Sequence, residues 1–256
     1  MLVLRSIAYL VALYLFTALG LLFGWWVFLL PWPKPWPFVR FWASGCVWLH
    51  QAICGVRVEW RGLENIPEGG FLVASKHQSM WETLALIPCF RHATFILKHE
   101  LMMIPLFGFA MRRTGMIDIN RAAGAKALVE MSARTRAAVA DGRQVIIFPE
   151  GTRRAPGAAP DYKVGVGYLY EACQAPCLPV ALNAGLYWPR RSWRRYPGTI
   201  IVEFLPPIAP GLDRKAFLRL LQETIETASD RLIAEAAAGD RPPPLARRLA
   251  AKAETA

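Results

Sequence analysis

Two periodicities of apolar and polar positions alternate along this chain of 256 residues, and each predicts a different element. Short runs rich in β-branched and aromatic residues predict strands, because such side chains suit a pleated, half-buried surface. Stretches with apolar positions three and four residues apart predict helices. The predicted strands cover residues 56–60, 71–75, 94–97, 116–119, 145–148, 177–182 and 199–204. The predicted helices cover residues 83–87, 122–140, 165–174 and 214–238.

This alternation predicts an α/β fold with a mixed, largely parallel sheet flanked by helices. We expect the catalytic domain to occupy residues 56–240, after a separate apolar segment at residues 1–55. Residues 241–256 form a basic, alanine-rich tail. Its composition is consistent with either disorder or a short surface helix.

The first 55 residues contain an apolar segment long enough to anchor the chain in a membrane. Residues 7–30 carry no charged side chain, and this run exceeds the roughly 20 residues that a helix needs to cross the hydrocarbon core. Indole rings favour the headgroup layer, and four lie near the end of the run, at Trp25, Trp26, Trp32 and Trp36. A cleaved signal peptide would be shorter and end in small residues, so the pattern favours a retained anchor.

A second apolar stretch, residues 38–55, follows a proline-rich turn. The sequence therefore leaves two arrangements open, a helix that crosses the membrane once and a helical hairpin embedded in one leaflet. Charge bias does not decide between them, because Arg5 and Lys34 flank the first apolar run almost symmetrically. Gly20 and Gly24 match a helix-packing motif, although chance explains this spacing equally well.

Composition and charge favour a lipid partner. Hydrophobic residues make up 54% of the chain and charged residues 19%, which is too apolar for an ordinary soluble enzyme. The net charge of +11 suits anionic lipid and phosphorylated substrates, but it would also suit nucleic acid. Residues 187–196 interleave arginines with aromatic residues, as interfacial membrane segments and single-strand binders both do. Because of the anchor we expect a membrane and no nucleic acid, with a merely solvated loop as the alternative for this segment.

The five cysteines are odd in number and scattered through apolar segments. We expect reduced thiols that serve as small core residues, in a catalytic domain that faces the cytoplasm. Cys173 and Cys177 are spaced like half of a zinc site, but partner histidines are missing and we expect no metal site.

A candidate catalytic pair follows the strand at residues 71–75, where His77 precedes Glu82 by five positions. An imidazole can accept a proton near neutral pH, and a neighbouring carboxylate can fix its tautomer and stabilise the imidazolium. Backbone N–H groups at the following helix start are expected to stabilise an oxyanion. An isolated pair of this kind is more often structural. Ser79 lacks a nucleophile elbow, so we predict that it stabilises the turn, with an acyl-enzyme as the alternative.

A candidate anion site follows the strand at residues 145–148, at the end where open α/β sheets bind ligands. The residues after this strand include Glu150, Gly151, Thr152 and Arg153. Gly151 permits a sharp turn, and Arg153 can bind a phosphate through two parallel hydrogen bonds. Arg121 follows the strand at residues 116–119 in the same way, so both guanidinium groups are predicted at one rim. A solvent-facing turn explains either segment alone equally well.

Four blocks in this order resemble the glycerolipid acyltransferase family, and among its members the bacterial 1-acylglycerol-3-phosphate acyltransferases. The blocks are His77-Gln78-Ser79-Met80-Trp81-Glu82; Lys98-His99-Glu100-Leu101 with the Pro105-Leu106-Phe107-Gly108 and Gly115-to-Arg121 segments; Phe148-Pro149-Glu150-Gly151-Thr152-Arg153; and Leu178-Pro179-Val180-Ala181-Leu182-Asn183. Glu82 stands where the family usually has aspartate, which keeps the charge and lengthens the reach. Lys76 stands where asparagine is frequent, and we expect it to affect substrate preference.

The resemblance implies the glycerolipid acyltransferase fold with a membrane-embedded pair of helices. It also implies that His77 and Glu82 are the catalytic pair. The residues implied in the glycerol-phosphate site are Arg121, Glu150, Gly151, Thr152 and Arg153, with Lys98 adding charge there or near the acyl donor. A surface lysine with no such role is the alternative for Lys98.

The implied reaction moves an acyl chain from acyl-CoA or an acyl-carrier protein to the sn-2 hydroxyl of 1-acylglycerol-3-phosphate, giving phosphatidic acid, with no metal or redox cofactor. The expected partners are a lysophospholipid, an acyl thioester, an anionic membrane surface and, as donor, acyl-carrier protein. The expected location is a bacterial inner membrane. Another lysolipid acceptor, such as lyso-ornithine lipid, and a non-catalytic lipid-binding protein are the alternatives.

Overall fold

The structure, a computed structural model, describes residues 1–120 and 124–253. The helices in these ranges are α1 (Leu2–Gly24), α2 (Trp36–Cys54), α3 (Trp81–Ala85), α4 (Phe107–Arg113), α5 (Gly124–Ala140), α6 (Gly165–Cys173), α7 (Ala184–Tyr187), α8 (Arg214–Ala238) and α9 (Pro244–Ala253). The strands are β1 (Val56–Arg61), β2 (Phe71–Ser75), β3 (Ala93–Lys98), β4 (Ile117–Ile119), β5 (Gln144–Ile147), β6 (Cys177–Leu182) and β7 (Gly198–Phe204).

The predicted elements all occur, with ends shifted by a few residues. Two short helices, α4 and α7, were not predicted, because each spans too few residues to show a helical period in the sequence. Helix α9 occupies most of the basic tail, so the helical alternative is the one observed there. Asp213 caps α8 by accepting hydrogen bonds from the Lys215 and Ala216 backbone N–H groups, as the start of the predicted long helix requires.

The sheet joins all seven described strands in the order β1-β7-β6-β2-β5-β3-β4. Every neighbouring pair is parallel except β6 and β7, which run antiparallel. The prediction of a mixed, largely parallel sheet is therefore confirmed. Because β1 is parallel to β7, these two strands run opposite to the other five. The chain consequently enters β1 at the edge of the sheet where β2, β3, β4, β5 and β6 end.

Helices cover both faces of this sheet, as a parallel sheet with apolar strands requires. All five residues of β2 are buried. One face, called here the anchor face, packs against α1, α2, α3 and α4. The opposite face packs against α5, α6 and α8.

The apolar N-terminal segment shares the core of the catalytic domain. The side chains that α2 buries are Trp36, Val39, Ala43, Cys46, Val47, His50 and Cys54, and most lie in one cluster with Phe71 and Val73 of β2. Gly55 ends α2 in the left-handed conformation, with φ of 69°, and turns the chain into β1. Helix α2 therefore lies along the sheet.

Helices α1 and α2 form the hairpin that the sequence left open. Trp42 of α2 donates a hydrogen bond to the Thr17 hydroxyl of α1 at 3.2 Å. At the turn of the hairpin, Trp32 packs against His92 and under the Arg143 guanidinium. Both of these residues directly precede strands, β3 and β5. One end of the hairpin therefore meets the starts of the parallel strands, and the other end, at Gly55, meets their ends.

The outer side of the hairpin is apolar and exposed. Within the described residues, Leu2–Leu29 is the one helical segment that is long and apolar enough to cross a membrane, and most of it is not buried by the protein. Its exposed large side chains include Leu4, Val11, Tyr14, Leu22 and Phe23. A soluble surface rarely carries so extended an apolar face, so this side of the molecule is suited to lipid.

We expect Gly24→Ala to destabilise the hairpin and Gly20→Ala to be neutral or slightly stabilising. A Cβ at Gly24 would lie 2.3 Å from the Phe38 ring, whereas one at Gly20 would lie 3.8 Å from Trp42. Overpacking costs about 1–3 kcal/mol, and alanine is otherwise favoured over glycine in a helix. Thermal unfolding in detergent, followed by tryptophan fluorescence, compares the two variants. Equal unfolding midpoints would contradict this packing.

Candidate active site

The candidate residues lie at one edge of the sheet, called here the site edge, where the five parallel strands end. His77 follows β2, Glu150 follows β5 and Lys98 is the last residue of β3. Arg121, the other predicted phosphate ligand, lies outside the described residues. Because β1 starts at this edge, the end of α2 reaches it as well. The topology therefore joins the end of the membrane hairpin to the edge that carries the motifs.

His77 and Glu82 form the predicted pair. His77 Nδ1 lies 2.8 Å from Glu82 Oε1, across the turn between β2 and α3. The same carboxylate oxygen accepts hydrogen bonds from the backbone N–H groups of Gln78, at 2.7 Å, and Ser79, at 2.6 Å. Glu82 has no exposed side-chain surface. These three donors all bind Oε1 and stabilise a carboxylate that burial would otherwise make very costly, while the buried Oε2 has no hydrogen-bond partner among the described residues.

The His77 ring is fixed in orientation as well as in position. It stacks on the Phe148 ring, with 3.9 Å between ring centres and 15° between planes, and 14% of its side chain is exposed. A carboxylate at Nδ1 favours the tautomer with the proton on Nδ1, which leaves Nε2 with a free lone pair. Nε2 is therefore the nitrogen that can accept a proton from a bound hydroxyl group.

Three of the N–H groups around the start of α3, where the oxyanion site is expected, already have partners. The N–H groups of Gln78 and Ser79 are engaged by Glu82, and the Trp81 N–H donates to the Ser79 hydroxyl at 3.1 Å. These groups stabilise the turn and cannot also bind an anion. The same contact supports the turn-stabilising role predicted for Ser79, whose side chain is fully buried.

The loop at residues 149–154 lies directly against the His77 turn. The Arg154 N–H donates to the His77 carbonyl oxygen at 2.8 Å, which ties the two segments together. Gly151 has a φ of 63°, in the left-handed region that glycine adopts readily, so the sharp turn occurs as expected. Thr152 is exposed and Arg153 half-buried, and both lie at the site edge.

Glu150 does not face solvent with Thr152. It is 2% exposed, and its Oε2 lies 3.2 Å from Nζ of Lys76. Burial raises the pKa of Glu150 above its ordinary value, and the Lys76 ammonium offsets part of this rise. Glu150 is therefore held beneath the loop by Lys76, and its predicted place in the glycerol-phosphate site stays a prediction.

Lys76 also points inward, so the expected effect on substrate preference has no direct contact to support it. Its side chain is 4% exposed, and Nζ donates to both carboxylate oxygens of Glu226, at 2.7 and 2.9 Å. The Tyr162 hydroxyl donates to Glu226 at 2.8 Å. Glu226 belongs to α8, on the face of the sheet opposite to Glu82.

The loop at residues 187–196, which was expected to face a membrane or solvent, also contacts the site. In the arginine-rich loop, Arg190 Nη1 donates to the carbonyl oxygen of Arg153 at 2.5 Å. The Arg195 N–H donates to the Ser6 hydroxyl of α1 at 2.9 Å, and Trp188 packs on Tyr9. This loop therefore connects the Arg153 segment to the start of the anchor. Its interleaving of arginines with aromatic residues was visible in the sequence, but its partners were distant.

Two cavities among the described residues are lined by neither member of the catalytic pair. A pocket of about 310 Å³ lies between β4 and α5, lined by residues that include Arg112, Asp118, Arg134 and Arg143, and by neither His77 nor Arg153.

Among the described residues, no three His, Cys, Asp or Glu side chains are grouped as a metal site. The five cysteines are free thiols, and three of them are buried.

Comparisons with known proteins agree with the motifs. A family model described as Acyltransferase matches residues 57–183. A 1-acyl-sn-glycerol-3-phosphate acyltransferase from Pseudomonas aeruginosa is 38% identical over 195 residues, 76% of either chain. The alpha form from Mus musculus is 30% identical over 63% of this chain and 58% of its own. The crystal structure of the 1-acyl-sn-glycerophosphate acyltransferase PlsC from Thermotoga maritima superposes with a TM-score of 0.77, over 91% of this chain and 98% of that one, at 20% identity.

We expect Glu82→Gln to lower the rate constant of acyl transfer by about 10²-fold or more while the protein stays folded. The amide can accept the two backbone hydrogen bonds, but it cannot stabilise an imidazolium as a carboxylate does. Glu82→Asp is the matched control, since it keeps the charge and shortens the side chain by one methylene. Transfer of a labelled acyl group from acyl-CoA measures both variants. A Glu82→Gln rate within threefold of the wild type would contradict the role of the charge.

Proposed function

This chain belongs to the acyltransferase family, and from that premise we propose that it transfers an acyl chain from an acyl thioester to the sn-2 hydroxyl of 1-acyl-sn-glycerol 3-phosphate, giving phosphatidic acid. The observation that carries the proposal is the contact between two loops. The His77 turn holds a base whose Nδ1 is fixed by Glu82, and the Arg154 N–H binds that turn to the segment that carries Arg153. The base and the segment that carries Arg153 are thus neighbours at one edge.

In the proposed reaction, Nε2 of His77 removes the proton from the sn-2 hydroxyl while the hydroxyl oxygen attacks the thioester carbonyl. Glu82 stabilises the imidazolium that forms. The tetrahedral intermediate collapses with loss of the thiolate, and the imidazolium returns the proton to the sulfur. No metal or redox cofactor takes part, and the donor is acyl-CoA or an acyl-carrier protein.

We assign acceptor binding to the residues that follow β4 and β5. Arg153 would bind the phosphate, with Arg121 as a second ligand by resemblance, and the Arg190 contact would hold the Arg153 backbone in place. Thr152 is an exposed hydroxyl beside Arg153 that can donate to a phosphate oxygen. Lys98, exposed at the end of β3, would add positive charge to the same edge or near the donor.

We further propose that the protein is embedded in one leaflet and does not cross the membrane. Both ends of the hairpin contact the catalytic domain, so a crossing by α1 would carry charged residues such as Arg143 into the hydrocarbon. Arg113 of α4 donates to three carbonyl groups at the end of the first apolar segment, those of Phe28, Leu29 and Leu30. The domain and its anchor are therefore one rigid unit at the bilayer surface.

The segment before and within α4 adds to this membrane surface. Its exposed large apolar side chains are Leu101, Met103, Ile104, Leu106 and Phe109, and Met103 is 70% exposed. This segment starts at the site edge, because it follows β3, and α4 packs beside the hairpin. The active face would thus meet the leaflet that holds the lysolipid.

The inner membrane of a bacterium, with the catalytic domain on the cytoplasmic side, is the location that fits the reduced thiols and the bacterial relative.

The experiment that tests the function is an assay of the purified protein with labelled acyl-CoA and a panel of lysolipids. We expect lysophosphatidate to be acylated fastest, and His77→Ala to abolish the product. Arg153→Ala should raise the KM for lysophosphatidate, since a phosphate contact held throughout the reaction is lost from ground and transition state alike. Lys215→Ala, which removes a surface charge near the starts of the parallel strands, is the control.

If a lysolipid without a phosphomonoester, such as lyso-ornithine lipid, is acylated fastest, that lysolipid is the acceptor and the proposal of lysophosphatidate is wrong. Binding of lysolipids without any transfer would favour the non-catalytic alternative.

Photo-crosslinking to a phospholipid with a diazirine in its acyl chain tests the membrane surface. We expect lipid adducts on peptides from α1 and from residues 101–109, because these side chains are predicted to enter the acyl region. The peptide of α5 that contains Val129 is the internal control, since Val129 is 71% exposed but lies on the opposite face of the sheet. Equal labelling of that peptide, or no labelling of residues 101–109, would contradict the orientation.

A further inference from the structure

Lys76 carries a buried positive charge that the proposed reaction does not use. Its ammonium has Glu226 at 2.7 Å and Glu150 at 3.2 Å, and none of the three groups is substantially exposed. Moving such charges out of water costs several kcal/mol per ion, and a buried ion pair often contributes no net stability against apolar residues of similar size. Stability alone therefore gives little reason for a lysine at this position.

The three charged groups lie on three segments that together build the site. Lys76 is adjacent to His77, and its backbone N–H extends the ladder between β2 and β6 by donating to Val180. Glu150 begins the loop that carries Arg153. Glu226 belongs to α8, which spans the opposite face of the sheet. The ammonium therefore connects the His77 turn, the loop at residues 149–154 and helix α8.

Neighbouring groups keep both carboxylates in place. The Tyr162 hydroxyl donates to Glu226, and burial together with this carboxylate raises the pKa of Tyr162, so the phenol remains a donor. Arg154 Nε lies 3.8 Å from Glu150 and its Nη2 pairs with Asp161. The charges of the cluster nearly balance, and removing the lysine would leave two buried carboxylates facing each other.

From this geometry we infer that Lys76 is a positioning residue, which sets the distance between the His77 base and the Arg153 phosphate ligand through Glu150 and Glu226. The inference rests on the proposed function for its kinetic consequence but not for its structural one. Glu82 holds the His77 turn from α3 on the anchor face, and Lys76 holds it from α8 on the other. A turn fixed from both faces can keep Nε2 aimed at a hydroxyl whose phosphate is bound on the adjacent loop.

The test replaces Lys76 with methionine, which keeps the volume and removes the charge, in the full chain in mixed micelles. A displacement of about 1 Å between base and acceptor can cost about 10²-fold in rate. We therefore expect kcat/KM for lysophosphatidate to fall by about 10²-fold, with a rise of several-fold in its KM and the KM for acyl-CoA within about twofold of wild type. Arg231→Met is the matched control, because Arg231 of α8 also pairs with two carboxylates but is half-exposed, and its partners are Glu203 and Glu235 instead of Glu150 and Glu226.

Hydrogen exchange supplies a readout that needs no activity. In Lys76→Met, we expect faster exchange in peptides covering residues 76–82 and 149–155, and unchanged exchange in α2. Glu226→Gln, which keeps a hydrogen-bond acceptor and loses the charge, should show the same pattern to a smaller degree. It also tests the inference if Lys76→Met does not fold.

Wild-type exchange rates in both loops together with wild-type kinetics would overturn the inference. A lower kcat with an unchanged acceptor KM and unchanged exchange would also overturn it, because that result indicates only a smaller active fraction. A wild-type protein that fails to acylate lysophosphatidate would refute the proposed function instead, and the exchange data would still decide the role of Lys76.

Discussion

The carboxylate of Glu82 has no exposed surface, and the geometry of the site depends on how its charge is satisfied. A buried carboxylate must find donors, and here the two backbone N–H groups of the preceding turn and the His77 ring supply them. The requirement acts in both directions. The turn is fixed because its N–H groups bind the carboxylate, and the imidazole is fixed because it binds the same oxygen. The Gln78 and Ser79 N–H groups are therefore already engaged and cannot also bind an oxyanion.

The second constraint is topological. Because β7 pairs antiparallel with β6, strands β7 and β1 run opposite to the other five. The chain that leaves the hairpin therefore enters β1 at the edge where those five strands end. Base, phosphate loop and anchor are thereby joined at one edge. The outer side of α1 and the segment before α4 both expose large apolar side chains.

The sequence predicted the parts of this structure that local chemistry determines. Strands with continuous apolar residues, the turn at His77, the glycine turn at Gly151 and the hairpin as one of two arrangements were all visible as patterns. What it did not predict depends on contacts between distant residues. Lys76 turns inward because Glu226, about 150 positions away in α8, provides its partner, and Glu150 turns inward toward Lys76. The contact of Arg190 with Arg153 and the use of the Gln78 and Ser79 amides by Glu82 are likewise properties of the folded chain.

The buried carboxylate of Glu82 favours the His77 tautomer with its proton on Nδ1 and a free lone pair on Nε2. Nitrogen NMR of the protein labelled at its histidine rings measures this directly, and loss of one signal set in His77→Gln assigns it among the four histidines. We expect neutral His77 to show a protonated Nδ1, with a strongly hydrogen-bonded proton, and an unprotonated Nε2. A neutral ring with its proton on Nε2 would contradict this pairing, because that nitrogen could not then accept a proton from a hydroxyl group.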